Sequence, residues 1–350
     1  MAAQRPPRAA VRAAVRACLA DLEPGDRVVV ALSGGPDSLA LAAAAAVVSE
    51  QAGLLCEAVV IDHQLQPGST QTALRAAEQA RILGCRTARV VAVDVPVGPG
   101  TGGVEAAART ARYRALEAAA DEGGVPDQRP PTILLGHTRD DQAETVLLGL
   151  ARGSGTRSLA GMAPVAGRYR RPLLDLPRDV VVAAAQEEAL ADPRLGPWTD
   201  PHNSDSAFTR VRVRREVLPG LEAALGPGIT EALARTALLA RQDADALDAW
   251  ADQVWVAMRD AGVAEVPVDA SVARLGLVRE PGAADPLPAA VVSRVVRRFL
   301  IGSGCPASDL TAAHLRAVTA LVEGAPTRAE VALPGGRRAR READALVVRT

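Results

Sequence analysis

The stretch VVVALSGGPDSLALAAAAAV, residues 28–47, decides how the rest of the chain is read. A Val-rich apolar run stops at Ser33-Gly34-Gly35-Pro36-Asp37-Ser38, and an Ala/Leu run follows at once. The first run has the composition of a buried parallel strand. The second is a strong helix former. Between strand and helix, two glycines let backbone N–H groups converge on an anion, and the helix N-terminus adds partial positive charge. Ser33 and Ser38 can donate hydroxyl hydrogen bonds to the same anion. Asp37 is the misfit, because a bare carboxylate repels phosphate. A divalent cation, Mg²⁺, shared by Asp37 and phosphate oxygens resolves it. The loop lacks the Lys of G-x-x-x-x-G-K-[ST] and the spacing of G-x-G-x-x-G. An ordinary strand–helix turn with an Asp/Ser cap is the plainer alternative.

Outward from this loop the pattern repeats. Strands are predicted over residues 26–32, 56–62, 87–95 and 131–137, and helices over 39–50, 69–84, 104–124 and 140–153. This β-α-β-α order predicts an α/β fold with a doubly wound parallel sheet. In such sheets ligands sit at the carboxyl ends of the strands. Three chemically loaded segments fall there: Ser33–Ser38, Asp62-His63 and His137–Asp141. Residues 153–220 are rich in Gly, Pro and Arg, and 221–260 is strongly helical. Residues 261–350 read as a small mixed domain ending in a β-hairpin, 329–333 against 337–349.

Composition narrows the class. The chain has 40 basic residues, all Arg, against 41 acidic ones, for a net charge of −1. That balance excludes a global cationic field, so any nucleic-acid surface must be local. Every cationic contact is then a guanidinium, suited to bidentate phosphate binding. Cys18, Cys56, Cys85 and Cys305 form no C-x-x-C pair and no metal spacing, as in a reduced cytoplasmic protein. The Arg/Ala-rich N-terminus lacks the apolar core of a signal peptide, and no run reaches the ~20 apolar residues of a membrane span.

With its flanking strand and helix, S-G-G-P-D-S resembles the pyrophosphate loop of the N-type ATP pyrophosphatases, the PP-loop family. Its members split ATP between the α and β phosphates and transfer AMP to a carbonyl oxygen. They include tRNA thiolases, GMP, asparagine and NAD synthetases, and tRNA(Ile)-lysidine synthetases. Four further stretches resemble the last of these. VIDHQLQPGS (60–69) is similar to the segment usually written D-H-G-L-R, with Gln64 and Gln66 in place of Gly and Arg. VEAAARTARYRAL (104–116) is similar to E-A-x-A-R-x-x-R-Y. GHTRDDQAETVLLGLARGSGTRSLAGM (136–162) resembles H-x-x-D-D-Q-x-E-T…R-G-S-G-x-x-x-L-x-G-M. DPHNSDSAFTRVRVRREVLP (200–219) is similar to D-x-S-N…R-x-x-[IV]-R-x-x-[IVL]-x-P.

The resemblance implies an adenine nucleotide α-hydrolase-like catalytic domain over 1–220, a helical linker and tRNA-binding region over 221–260, and a tRNA-binding domain over 261–350. It implies ATP and Mg²⁺, a CAU-anticodon tRNA(Ile), free L-lysine and a cytoplasmic place. A homodimer is compatible with it. Ser33, Gly34, Gly35, Pro36, Asp37, Ser38, Asp62 and His137 would bind ATP, with Asp37 the metal ligand. Asp140, Asp141 and Glu144 lie within one helical turn and would hold the lysine ammonium groups, because three adjacent carboxylates need a cation. Asp141 is the candidate to hold or accept the amine proton. Arg112 would meet the lysine carboxylate, the adenylate or the anticodon phosphates. Asp37, Asp141, Arg112 and His137 are thus the expected catalytic set. Arg109, Arg152, Arg210, Arg212 and Arg214 are expected at the tRNA; on a strand the last three would share one face. An ATP-dependent tRNA thiolase and a non-catalytic tRNA-binding protein are the alternatives. The first lacks suitable cysteines, and the intact loop and carboxylate cluster oppose the second.

Overall fold

Residues Arg27–Leu32 form the first strand, β1, and sit at the centre of the sheet that carries the loop. This computed structural model describes all residues except 1–4, 65, 95–103, 123–128, 154, 200–204, 266–271, 277–286, 324–328, 344 and 350. The described chain divides into two compact units, Met1–Arg241 and Gln242–Thr350, with the division inside one long helix.

In the first unit, α1 (Pro7–Cys18) precedes β1. Then follow α2 (Pro36–Ala52), β2 (Leu55–Asp62), α3 (Ser69–Ile82), β3 (Thr87–Ala92) and α4 (Val104–Asp121). β4 (Thr132–Leu134) and α5 (Arg139–Ala151) complete the repeating part. β1 pairs in parallel with β2 on one side and with β4 on the other. Strand order is β3-β2-β1-β4-β6-β5, the last two being Tyr169–Arg170 and Val165–Ala166. The parallel doubly wound core is therefore as expected. Its far edge is not purely parallel, because β5 pairs antiparallel with β6.

Helix α2 is buried along nearly its whole length. It packs on β1 while α1 and α7 (Arg178–Ala191) press on it from elsewhere. Alanine is the side chain that lets four elements approach this closely, and a helix apolar all round is one buried all round. β4 is shorter than its apolar run. The Leu135 amide still donates to Arg170 O of the neighbouring strand at 2.9 Å, and the chain then turns, with the His137 amide donating to Leu135 O at 3.0 Å. That turn brings Gly136 and His137 over the end of β1.

Beyond α6 (Thr156–Leu159) and α7, the alternating Arg/Val segment is helical, not extended. α8 (Thr209–Arg212) runs through a π-helical turn (Val213–Val217) into α9 (Leu218–Leu225), and α10 spans Ile229–Asp260. Val213 and Leu218 pack with Ala143 of α5, and this apolar contact favours a helix over a strand here. The expected strand stripe of Arg210, Arg212 and Arg214 is thus replaced by a helix, which sends Arg212 to the other side.

The second unit holds a five-stranded antiparallel sheet, order β7-β8-β11-β10-β9. Its strands are β7 (Ala264–Glu265), β8 (Val272–Gly276), β9 (Glu330–Leu333), β10 (Arg337–Glu342) and β11 (Ala345–Arg349). Helices α11 (Ala289–Gly302) and α12 (Ala312–Glu323) belong to the same unit. The expected second hairpin arm, 337–349, is two strands. The chain reverses through Ala343 at φ 51°, and Glu342 pairs with Ala345. Among the described residues no helix is long and apolar enough to cross a membrane.

Candidate functional site

A cavity of 470 Å³ opens at the carboxyl ends of β1, β2 and β4. It is lined by the loop after β1, by Asp62 and His63, by His137 and Asp141, and by Arg112, Arg178, Arg210 and Arg214.

Loop geometry comes first. Gly34 has φ +81°, a left-handed conformation that favours glycine, and its carbonyl accepts from the Trp198 amide at 2.8 Å. Ser33 N–H donates to Ser38 Oγ at 3.1 Å, and Ser38 Oγ–H donates to Gly35 O at 3.0 Å. The Ser38 proton is therefore engaged within the loop, whereas a donor to phosphate was expected. In the first turn of α2, which Pro36 opens without an N–H, the Asp37 and Ser38 N–H groups have no acceptor inside the helix. A Cβ at Gly136 would stand 3.2 Å from Asp37 O and 3.3 Å from Ser38 Cα. Glycine lets the turn after β4 close this tightly on the loop.

Asp37 enters the cavity from the first turn of α2. Its Oδ2 pairs with Arg178 Nη2 at 2.9 Å, and its buried Oδ1 has no partner. Burial pushes its carboxyl up to about 6, against the pull of Arg178. Asp62, buried at the end of β2, accepts from the Gln64 amide at 3.0 Å and from Thr70 Oγ1 at 2.7 Å. Burial opposes its ionisation, but these bonds and one from Ser69 outweigh it and hold the carboxyl below its ordinary value. Asp62 thus staples β2 to α3. Gln64 takes φ 54°, so the position where the resembling motif carries Gly does require a left-handed residue.

The carboxylates expected to form one pocket are separated. Asp140 Oδ2 accepts from the Arg178 amide at 2.9 Å and does not line the cavity. Glu144 is fully buried beneath Arg214 (Nε to Oε1, 2.6 Å) and Arg210 (Nε to Oε2, 3.3 Å). Desolvation raises its carboxyl above the usual value despite Arg214. Asp141 alone of the three faces the cavity. Its Oδ2 caps α5 by accepting from Thr138 N and Oγ1 at 2.8 and 3.0 Å, and its Oδ1 meets Arg214 Nη2 at 2.9 Å. Burial works against its charge, yet the Thr138 amide and Arg214 hold the carboxyl low. A carboxylate so stabilised is a poor proton acceptor, which argues against the expected role as base. The cations that join this cluster are the chain's own arginines.

His137 Nδ1 and Arg112 Nε are buried without partners at the cavity. Burial lowers His137 to about 3, so its imidazole is neutral, and desolvation also lowers Arg112. The other expected arginines diverge. Arg109 is exposed and stacks on Tyr113 at 5.1 Å. Arg152 is exposed at the far end of α5, about 20 Å along the helix from Arg139. Arg212 donates to Ser206 O and Ala207 O. Arg210 and Arg214 face the cavity instead of the surface. The segment holding Asp200, His202 and Asn203 and the Ser154 position of the Arg152 turn lie outside the described residues.

Two residues at this site were not singled out from sequence. Arg178 bridges Asp37 and Asp141, the latter at 3.9 Å. Trp198 holds the loop by its amide and lines the cavity. The PR pair at the start of α7, with Pro fixing the entry, is the only local signal for Arg178.

Comparison with known proteins follows the same division of the chain. Residues 8–221 match the family described as PP-loop domain. Residues 285–347 match that described as TilS substrate binding domain. The chain is 50% identical to a tRNA(Ile)-lysidine synthase of Thermobifida fusca, over 99% of each chain. It is 46% identical to that of Streptomyces coelicolor, over 92% of this chain and 85% of the other. With that of Nocardia farcinica it shares 48% identity, over 93% and 92%. Among solved structures, U34-tRNA thiolase NcsA from Methanococcus maripaludis overlaps with a TM-score of 0.49 at 20% identity, covering 65% of this chain and 77% of that one. A PP-loop over a cavity of this composition, matched along nearly the full length by these relatives, shows that the chain belongs to the tRNA(Ile)-lysidine synthase family of ATP-using PP-loop enzymes.

Proposed function

We propose that this chain joins free L-lysine to C2 of the wobble cytidine in a CAU-anticodon tRNA(Ile). ATP first adenylates the cytidine through its C2 oxygen and releases pyrophosphate. The lysine ε-amine then displaces AMP, and the lysidine so formed changes reading from AUG to AUA. The observation that carries this reading is the placement of a pyrophosphate cradle and a mixed arginine–carboxylate cluster on one cavity.

In this frame the Asp37 and Ser38 amides, with Ser33 and Ser38 nearby, hold the β and γ phosphates. The unpartnered Oδ1 of Asp37 fits one ligand position on Mg²⁺. Among the described residues no group of three or more His, Cys, Asp or Glu could cage a metal. One carboxylate plus substrate phosphates and waters is the usual Mg²⁺ pattern. When bound, the ion neutralises charge developing on the leaving pyrophosphate. Neutral His137 offers one hydrogen bond to the α-phosphate or the adenylate without adding charge.

Lysine carries one carboxylate and two ammonium groups. Arg112, with its buried free Nε, suits the carboxylate. Asp141 is the charge partner for an ammonium group, with Glu144 behind it and Asp140 fixing α7. Exposed Arg109 and Arg152 suit the tRNA backbone, and Arg210 and Arg214 guard the entrance to the lysine position. The reaction belongs in the cytoplasm, with its tRNA.

A partial-reaction assay separates the two steps. ATP and tRNA without lysine should release pyrophosphate and leave AMP on the tRNA. Lysine added afterwards should release AMP. Pyrophosphate release that needs lysine, or does not need tRNA, would contradict this order.

A further inference from the structure

Cys56 and Cys85 lie away from the cavity that holds the reaction. Cys56 is the second residue of β2, at the strand end opposite Asp62. Cys85 follows α3 after Gly84, whose φ is +100°. The Arg86 amide donates to Cys56 O at 2.7 Å, and the Cys85 amide to Ala80 O at 3.0 Å, so the backbone is fixed on both sides. The two Sγ atoms are 3.7 Å apart, and each residue is 5% exposed. A separate cavity of 290 Å³ borders Cys56, Gly84 and Arg86. That is room for several waters or a small peroxide.

We propose that Cys56 and Cys85 are a modification site, a thiol pair that a hydroperoxide converts reversibly into a buried disulfide. The sulfurs, 3.7 Å apart, must close to the ~2.0 Å of a bond. The two sulfurs share an S–H···S contact in which either can be the donor. The thiol that ionises is the nucleophile, and its neighbour is the resolving thiol. The thiolate attacks the peroxide oxygen, the O–O bond breaks, and the departing hydroxide takes a proton to give water. The resolving sulfur then attacks the sulfenic sulfur. The S–S bond forms, the S–O bond breaks, and hydroxide leaves with the resolving thiol's proton as water. Two thiols and one hydrogen peroxide give one disulfide and two waters.

The link joins residues 29 apart and encloses all that fixes Asp62, including the Thr70 hydroxyl on α3. It ties the strand–helix unit of the site from its far end, without touching the cavity. A loop of this length restricts the unfolded chain substantially.

The test treats the full-length protein with hydrogen peroxide, blocks remaining thiols in denaturant and maps the peptides by mass. The proposal expects two of the four thiols to escape blocking and a Cys56–Cys85 linked peptide. It expects the melting temperature to rise by about 5 °C or more, with reversal by dithiothreitol. Cys56→Ser and Cys85→Ser should each abolish the link and the rise. Four blocked thiols after peroxide, oxidation of one cysteine to sulfinic acid without a link, or pairing with Cys18 would overturn it. Should either variant fail to fold, the peptide map of the wild-type chain decides alone.

Discussion

The Arg178 guanidinium stands 2.9 Å from the carboxylate of Asp37, and it is the charge that lets this carboxylate ionise inside the loop. Asp37 has a folded pKa of about 6 against 3.8 for the free residue. Its contribution to stability is thus complete below about pH 4 and is lost as pH rises through 6. Arg178→Ala removes the partner of a buried charge. We expect it to cost about 1–3 kcal/mol at pH 8 and clearly less at pH 5, where Asp37 is protonated. Denaturant melts at the two pH values check this; an equal loss at both would show that Arg178 acts by packing alone.

Asp141 and Glu144 should separate by phenotype. Glu144 has no exposed side-chain surface and pairs with two partly exposed arginines, of which Arg214 keeps Asp141 when Glu144 is lost. Glu144→Gln is expected to cost about 1–3 kcal/mol, measured by urea unfolding. Asp141→Asn keeps the shape at the cavity wall. It should raise the KM for lysine by about tenfold or more while tRNA adenylation persists. Unchanged lysine dependence would remove Asp141 from the lysine position.

His137 should stay neutral far into acid. Its folded pKa of about 3 lies below the 6.5 of the free residue, because burial penalises the cation. The unfolded chain therefore binds a proton first. Stability from this residue is full above pH 6.5 and falls as pH drops toward 3. Imidazole NMR signals of His137 should not move between pH 8 and 5. A titration centred near 6.5 would contradict the burial argument.

Gln64 holds a left-handed conformation that glycine adopts without strain. Gln64→Gly should stabilise the protein by up to about 1 kcal/mol, after the entropy cost of glycine in the unfolded chain. The thermal midpoint reads this directly. A fall in stability would mean that the Gln64 side chain contributes contacts the conformation alone does not explain.

The central β1–loop–α2 unit was legible because its chemistry is local: a strand buried on both faces and a helix buried all round both read as apolar runs. The site's outline was legible for the same reason, since each carboxyl-terminal strand end carries its own polar residues. What those carboxylates bind was not legible. Arg210 and Arg214 lie 65 to 73 residues beyond the α5 residues they hold, and no local pattern reports such a pairing. A still greater separation in sequence hid Arg178 from Asp37. Alternation of Arg with Val suggested a strand, but packing of Val213 and Leu218 on Ala143 chose a helix with a π turn. That choice turned two surface arginines into cavity arginines. The hairpin at the end was misjudged by one reversal, because Ala343 gives no glycine signal for its turn.

The central claim is that this cavity joins lysine to a cytidine of tRNA. The most direct measurement incubates the full chain with Mg-ATP, labelled L-lysine and a CAU-anticodon tRNA(Ile) transcript, then digests the tRNA to nucleosides. Label on the wobble nucleoside, one per tRNA, with one AMP released for each, is the expected result. A folded protein that releases AMP yet leaves the tRNA unlabelled would contradict the account.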